Sequence, residues 1–307
     1  MEIIPYVQCL ENHQIFPMFY LGFRNLIYPE QFEKRRKWDF RIKDGPGGFC
    51  AVEDGKIIGF VGIMHVPTRA IDGPEMVGGI FVAVTDPSAG RSGICTALME
   101  EAHTYFRELG YRLCFLSTMR TNIAHKFYTK NGYLEVEALN KFPSVFKRVN
   151  LSKRMKLGDK QIRCPSEEHV ARAFSEFTAD RTGFVIRTMD FVSFQEWKGE
   201  FDPVVSVFID GGYALVNDHH GPLEIAEITG LNFETQDKVI EILEMRAKGA
   251  IVDPWVTDNG LLEVYKKRNY ITYKDHYVVV MAKALEPGVT VEDVYGNAFY
   301  MSKFEIF

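Results

Sequence analysis

The sequence predicts an α/β protein with two domains, and three observations carry this prediction. The chain has 307 residues, which is enough for two domains of ordinary size. Strand-like apolar runs alternate with helix-like amphipathic runs, which is the order typical of α/β folds. A motif beginning at Asn122 returns at Asn259, which indicates an internal repeat.

The elements of the first half follow from periodicity and turn residues. In order, they are predicted as a helix at 18–38, a hairpin at 47–66 around an Asp-Gly turn, a strand at 76–85, a helix at 91–109, a strand at 111–119 and a short helix near 122–131. The helix at 91–109 has one apolar face because Ile94, Leu98, Ala102 and Phe106 recur at helical spacing. Since this helix connects two strands, we expect those strands to be parallel.

The loop before the helix at 91–109 has the features of an anion site. Gly90 and Gly93 permit close approach of a ligand to the backbone, and no acidic residue occurs between Arg91 and Met99. The start of a helix offers free N–H groups and the positive end of the helix dipole. The loop either binds phosphate or is a plain turn between strand and helix. It lacks the Gly-Lys-Ser/Thr ending of a nucleoside-triphosphate loop.

The segment "NIAHKFYTKNGY", from Asn122 to Tyr133, follows one crossover later. Together with the glycine loop it resembles the signature of the GNAT family of acyl-CoA N-acyltransferases. The segment matches at Asn122, Ala124, Phe127, Tyr128, Lys130, Gly132 and Tyr133. The loop departs from the family pattern, with Gly90 in place of Gln or Arg and Cys95 in place of the final Gly or Ala. The resemblance covers about residues 47–136, with 1–40 as a weaker, acceptor-side part.

This resemblance implies a mixed sheet flanked by helices, acetyl-CoA as co-substrate and direct acetyl transfer to an amine. The backbone near Val82 and Val84 would pair with pantetheine. The residues implied to bind the cofactor in addition are Arg91, Ser92, Gly93, Ile94, Cys95, Thr96 and Asn122. Tyr128 would be the catalytic acid for the leaving sulfur, or else a packed core tyrosine. Asn122 would contact the cofactor, cap a helix, or do both.

The general base has three candidates in the sequence. Glu75 precedes the central strand and His65 lies near the end of the hairpin, and each could equally be an ordinary structural side chain. In the enhanced-intracellular-survival type of GNAT protein the terminal carboxylate enters the active site, which makes Phe307 the third candidate.

The second half is predicted to be a degenerate copy of the first. Tyr265 and Tyr270 stand at the positions of Tyr128 and Tyr133 in the repeated motif. Its helix opens with Glu234 and Asp237, which would compete with phosphate, and it lacks the glycine pair. A basic run at 147–163 marks the joint, so we expect GNAT-like domains at 1–150 and 165–307.

Composition excludes several classes of protein. The net charge of −5 argues against a nucleic-acid binder, and the apolar runs are too short to span a membrane. Five scattered cysteines indicate neither a disulfide framework nor a zinc site, which favours the cytoplasm, and we predict no metal. The leading hypothesis is an N-acetyltransferase acting on a small-molecule or amino-acid-like amine. The alternative is a non-catalytic acyl-CoA-binding or scaffold protein, and the sequence leaves the oligomeric state open.

Overall fold

The protein forms two compact units, which are built from interleaved stretches of the chain. The structure is a computed structural model, and it describes residues 1–9, 13–23, 28–149, 166–218, 221–274 and 278–305. The first unit comprises Met1–Val136 and Val278–Val294, and the second comprises Glu137–Tyr277 and Tyr295–Ile306.

The chain alternates strands and helices along most of its length. The strands are β1 Glu2–Pro5, β2 Gly48–Glu53, β3 Lys56–Ala70, β4 Gly73–Thr85, β5 Leu113–Met119, β6 Leu134–Glu135, β7 Ser144–Arg148, β8 Thr182–Gly183, β9 Val207–Ile209, β10 Gly212–Asn217, β11 Leu223–Gly230, β12 Ala250–Asp253, β13 Ile271–Tyr273, β14 Val278–Ala284 and β15 Phe299–Tyr300. The α-helices are α1 Ile15–Phe23, α2 Pro29–Trp38, α3 Ile94–Glu108, α4 Ile123–Lys130, α5 Glu137–Asn140, α6 Glu167–Phe177, α7 Phe191–Trp197, α8 Phe233–Arg246, α9 Asn259–Lys267 and α10 Val291–Tyr295.

Two helix boundaries differ from the sequence prediction for identifiable reasons. The run at 18–38 was expected as one helix, but α2 is a separate helix that begins at Pro29. Proline lacks an N–H group and tolerates the first helical turn, so it starts a helix rather than continuing one. The helix expected from Arg91 begins at Ile94, because Arg91 and Gly93 both adopt positive φ angles.

The sheet of the first unit has the strand order β1-β2-β3-β4-β5-β14-β6. Strands β4 and β5 are parallel, as predicted from the intervening helix, and the other neighbours are antiparallel. Residues alternate between the two faces of the sheet. One face packs against α3 around Leu98 and Phe106, and the other packs against α1 and α2 around Phe19 and Phe32. The sheet is therefore covered by helices on both faces.

The sheet of the second unit has six strands in the order β9-β10-β11-β12-β7-β13, and β11 and β12 are its parallel pair. This order is similar to that of the six strands from β2 to β6 in the first sheet. Strand β7 comes from the first half of the sequence but lies between β12 and β13. Strand β14 comes from the second half but lies between β5 and β6 of the first sheet. The domain ranges 1–150 and 165–307 stay a prediction, and each sheet takes one strand from the other range.

Candidate active site

The two parallel strands of the first unit separate at their carboxyl ends. Strands β4 and β5 pair only at Gly78–Ile80, whereas β4 continues to Thr85 along β3. Within the described chain, no strand pairs with the β5-facing edge of 81–85. Since backbone N–H and C=O groups need partners, this edge is suited to an extended polar ligand. Val82 and Val84, predicted from the sequence, lie on this segment.

A β-bulge at Phe81 decides which way the separated segment faces. Gly62 pairs with Val82 and Ile63 pairs with Ile80, so Phe81 is the extra residue. Phe81 itself packs into the hydrophobic cluster under α1 and α2, and Val84 packs into the same cluster. Ala83 lies on the other face of the strand and packs against the hydrophobic cluster under α3. The open edge therefore lies between the α3–α4 layer and the α1–α2 layer of the first unit.

The N-terminus of α3 lacks a side-chain cap. Its N-cap is Gly93, with φ 83°, and Arg91 adopts φ 66° two residues earlier. A non-glycine residue in this region is strained, and such strain is concentrated at functional sites. Ser92 donates to the carbonyl oxygen of Ala89, and Thr96 is exposed in the first turn. The free N–H groups and the dipole make this helix end attractive to an anion.

The corresponding helix of the second unit is capped by the chain itself. Only Leu231 and Asn232 separate β11 from α8. The Asn232 Oδ1 atom accepts hydrogen bonds from the Thr235 N–H at 2.9 Å and the Thr235 hydroxyl at 3.0 Å. Glu234 lies in the first turn, and Asp237 forms an ion pair with Arg268. The short loop leaves little room for a phosphate, and the Asn232 side chain already accepts from the Thr235 N–H. The Glu234 carboxylate would also repel a phosphate.

Tyr128 lies on α4, with only 8% of its surface exposed. Its ring contacts Phe127 and Tyr133, and no hydrogen bond to its hydroxyl occurs within the described chain. Burial, followed by the neighbouring Cys95 thiol, raises the pKa of Tyr128 above its usual value. Burial also raises the pKa of Cys95 to about 11. The structure thus brings Tyr128 and Cys95 together, and both stay protonated at neutral pH.

Asn122 is the N-cap of α4. Its side-chain oxygen accepts a hydrogen bond from the Ala124 N–H at 3.2 Å, and the residue is exposed. The capping role considered in the sequence is therefore present, and the exposed position still permits a ligand contact.

The two internal candidates for a general base lie elsewhere. Glu75 forms two hydrogen bonds, of 3.0 and 2.9 Å, with Arg112, and it lies six residues before Phe81 on β4. At about 3.3 Å per residue this separation is about 20 Å. His65 contacts the Tyr111 hydroxyl through Nδ1 and the Tyr105 hydroxyl through Nε2, and burial lowers its pKa. Both side chains are structural by these contacts, and Phe307 lies outside the described residues.

Tyr265, the repeat counterpart of Tyr128, is committed to a structural hydrogen bond. It is fully buried, and its hydroxyl donates to Asp253 Oδ2 at 2.9 Å. Asp253 also accepts from the Trp255 N–H, and burial raises its pKa to about 6. Sequence reasoning missed Asp253, although an acid that ends the apolar strand β12 was a visible signal.

A buried ion-pair network lies beside the matching segment of β11. By its position after the bulge in β11, Glu227 corresponds to Val82 of β4. Arg187 binds both Glu227 and Glu305, Tyr213 donates to Glu227, and phenylalanine rings pack on the guanidinium. Burial would raise the pKa of Glu227, but Arg187 holds it below its usual value. Charged side chains therefore fill this region of the second unit.

Comparison with protein families supports the resemblance seen in the sequence. Residues 13–133 match the model of the Acetyltransferase (GNAT) family. The matched stretch includes the open edge of β4, the α3 N-terminus and Tyr128. The match supports acyl transfer in general and identifies neither the acyl donor nor the acceptor.

Solved GNAT structures share the fold over most of the chain. A GCN5-related N-acetyltransferase from Kribbella flavida matches with a TM-score of 0.67 and 14% identity, over 92% of this chain and 72% of that one. Eis1 from Mycobacterium abscessus matches with a TM-score of 0.61 and 16% identity, over 93% and 74%. A GCN5-related N-acetyltransferase from Anabaena variabilis matches with a TM-score of 0.62 and 12% identity, over 93% and 73%. No curated protein matches the chain.

Two searches of the described residues gave negative results. No group of three or more His, Cys, Asp and Glu side chains in this part of the chain is arranged to hold a metal ion. Likewise, none of the helices described is both long and apolar enough to cross a membrane.

Proposed function

We propose that the first unit transfers the acetyl group of acetyl-CoA to the primary amine of a small-molecule or amino-acid-like acceptor. The observation that carries this proposal is the uncapped N-terminus of α3, which the loop at 86–93 connects to the open edge of β4. An anion site joined to an unpaired strand edge suits a ligand with both phosphate and amide groups. Acyl-CoA is such a ligand.

The residues present fit this co-substrate. The N–H groups of residues 91–96 would bind its phosphates, with further donors from the side chains of Arg91 and Thr96. The Ser92 hydroxyl would join them by turning away from the Ala89 carbonyl oxygen, to which it donates in this structure. The strand edge near Val82 and Val84 would pair with the amides of pantetheine. A Cβ added at Gly93 would meet no atom within 4 Å, so space is open in front of the helix. The exposed Asn122 is a further proposed contact.

Transfer requires one bond to form and one to break. The neutral amine nitrogen attacks the thioester carbonyl carbon, a C–N bond forms, and the C–S bond breaks with its electron pair on sulfur. Tyr128 donates its proton to this sulfur, and the proton lost by the amine passes to solvent. Burial keeps Tyr128 protonated until sulfur carries charge. The tyrosinate then recovers a proton from solvent.

We further propose that the two units are tandem copies and that only the first is catalytic. The shared strand order, the parallel pair and the repeated tyrosine motif support a common origin. Three features support loss of the second site: Asn232 caps α8, the Tyr265 hydroxyl donates to Asp253, and the buried Arg187 binds Glu227. The four described cysteines are free thiols, which supports the reducing cytoplasm as the location.

The proposal is tested by measuring CoA release with a panel of amines, after a calorimetric titration with acetyl-CoA. Binding without release for any amine would favour the non-catalytic alternative. Binding should also stabilise the fold, by about 1.4 kcal/mol at a tenfold excess over Kd. Absence of both binding and a thermal shift at millimolar acetyl-CoA would contradict the assignment of the site.

A further inference from the structure

A buried chain of hydrogen bonds lies next to Tyr128 in the first unit. Tyr133 is fully buried, and its hydroxyl contacts His103 Nε2 at 2.8 Å and donates to Cys114 Sγ at 3.3 Å. On the other side of the imidazole, Nδ1 lies 3.3 Å from Lys283 Nζ. The chain of bonds therefore connects β14, α3 and β5 to the residue that follows the C-terminal turn of α4.

The hydrogen bonds of this chain run in one direction. The Lys283 ammonium can only donate, which assigns His103 Nδ1 as the acceptor and places the ring proton on Nε2. Glu100 Oε2 lies 3.5 Å from the same nitrogen, and this carboxylate accepts from Arg107 at 2.8 Å. Burial, followed by the charge of Lys283, lowers the pKa of His103 to about 4, so the ring is neutral at neutral pH. His103 Nε2 therefore donates to the Tyr133 oxygen, and the Tyr133 hydroxyl hydrogen goes to the cysteine sulfur.

Tyr133 makes two contacts with Tyr128. Its N–H donates to the Tyr128 carbonyl oxygen at 3.1 Å, and the two rings meet edge to face with their centroids 5.9 Å apart. The Tyr128 hydroxyl forms no hydrogen bond within the described chain, so the packing of its ring decides where it lies. Its ring neighbours are Phe127, on the same helix, and Tyr133, which is bonded to α3 and β5. Tyr133 therefore connects the Tyr128 ring to the rest of the unit.

Stability alone does not account for the polar groups in this core. A buried imidazole and a buried phenol lose their hydration, and apolar side chains of similar volume would pack in the same space at equal or lower cost. Hydrogen-bonded groups in a core instead fix one arrangement of the elements that carry them. In the second unit, α8 and β12 follow β11 as α3 and β5 follow β4, and they contain neither histidine nor cysteine. The chain of bonds thus accompanies Tyr128 and not Tyr265.

We propose that Tyr133 and His103 are positioning residues for Tyr128, an inference that rests on the proposed acetyl transfer. Tyr133 fixes the place of the Tyr128 ring, and His103 fixes Tyr133 through its hydroxyl. The Tyr128 hydroxyl is thereby held within reach of the thioester sulfur, with no bond inside the protein that competes for its proton. Since proton transfer requires hydrogen-bond distance, a small displacement of the donor lowers the rate. Neither positioning residue touches the substrate, so their effect on turnover passes through Tyr128.

Paired substitutions test whether Tyr133 acts through Tyr128. The rate kcat is measured as CoA release from acetyl-CoA with the amine that reacts fastest in the panel. Tyr133→Phe keeps the ring and removes the hydroxyl, and it should lower kcat by about tenfold in the natural chain. In a chain that carries Tyr128→Phe, the same change should lower kcat by less than about twofold, because no hydroxyl remains to be positioned. The Kd of acetyl-CoA should stay within about twofold in every variant.

Substitutions of His103 separate positioning from stability. His103→Leu should lower kcat about as much as Tyr133→Phe, and the two changes together should add no further loss, since both remove the same bond. The double variant should resist urea better than Tyr133→Phe alone, because no histidine N–H is left buried without an acceptor. His103→Gln, which keeps an N–H donor near the place of Nε2, should retain kcat within about threefold. A low kcat in a chain that has regained stability is the result that a purely structural role would not give.

Tyr111→Phe is the matched control, because the Tyr111 hydroxyl also binds a histidine, at 2.9 Å from His65 Nδ1, ahead of β5. This change should leave kcat within about twofold. An equal loss from Tyr133→Phe with and without Tyr128→Phe, or no loss in the natural chain, would overturn the positioning role while acetyl transfer stands. No CoA release from the natural chain with any amine would overturn the proposed function and this role with it.

Discussion

Replacement of Asp253 by Asn should change the pH dependence of stability, because Asp253 is a buried acid with a raised pKa. Burial raises this pKa from 3.8 to about 6, even though Tyr265 and the Trp255 N–H both donate to the carboxylate. A raised folded-state pKa means that the contribution to stability is fully present below pH 3.8 and is lost as pH rises through 6. Asparagine keeps an acceptor oxygen but does not titrate.

The size of the effect follows from the difference in pKa between the folded and unfolded states. A difference of about two units corresponds to about 3 kcal/mol in total. Between pH 4.5 and 7.5 about 2 kcal/mol of this should appear, since part of the unfolded-state titration precedes pH 4.5. The free energy of unfolding of Asp253→Asn, relative to the natural chain, should rise by this amount over that range.

Urea denaturation followed by tryptophan fluorescence measures the difference, since Trp197 and Trp255 both lie in the second unit. Asp210→Asn, at the exposed turn between β9 and β10, is the control and should show a constant difference at all pH values. A difference between Asp253→Asn and the natural chain that does not vary with pH would refute the reasoning. Asp253 would then not be a buried carboxyl that ionises near pH 6.

Three further predictions concern the two units. Tyr128→Phe should lower turnover by about 100-fold with little change in the Kd of acetyl-CoA. Tyr265→Phe should leave turnover within a few-fold of that of the natural chain. Equal losses of turnover from the two substitutions would contradict the assignment of Tyr128 as the catalytic acid. Gly93→Asp should weaken acetyl-CoA binding at least about tenfold by calorimetry. Gly110→Asp, at another open position with positive φ beyond the other end of α3, should leave it unchanged. Arg187→Leu should reduce the free energy of unfolding by about 3–5 kcal/mol, since it leaves two carboxylates buried, and a loss below 1 kcal/mol would show that the network is unimportant.

Local signals in the sequence predicted most elements of the fold. The Asp-Gly turn gave the β2–β3 hairpin, and the apolar period of α3 predicted that β4 and β5 are parallel. Each of these features depends on residues that are close together in the sequence, which is why pattern alone was sufficient.

Features that depend on distant residues were not predictable in this way. Strands β7 and β14 each have the apolar character of an interior strand. The residues of each strand and its sequence neighbours do not indicate which of the two sheets contains it. The partners of Glu75 and His65 were equally invisible, because Arg112 and Tyr111 are distant in sequence. At the candidate site, the glycine loop and Tyr128 were predicted because each belongs to a short sequence motif. The bulge at Phe81 and the closeness of Cys95 to Tyr128 required the structure.

The central claim is that one working acyl-CoA site exists in each chain, at the N-terminus of α3 in the first unit. Calorimetric titration of the full chain with acetyl-CoA tests this most directly through its stoichiometry. The account predicts one molecule of acetyl-CoA per chain, because α3 is uncapped whereas α8 is capped by Asn232. Two molecules per chain, or none at millimolar concentration, would contradict it.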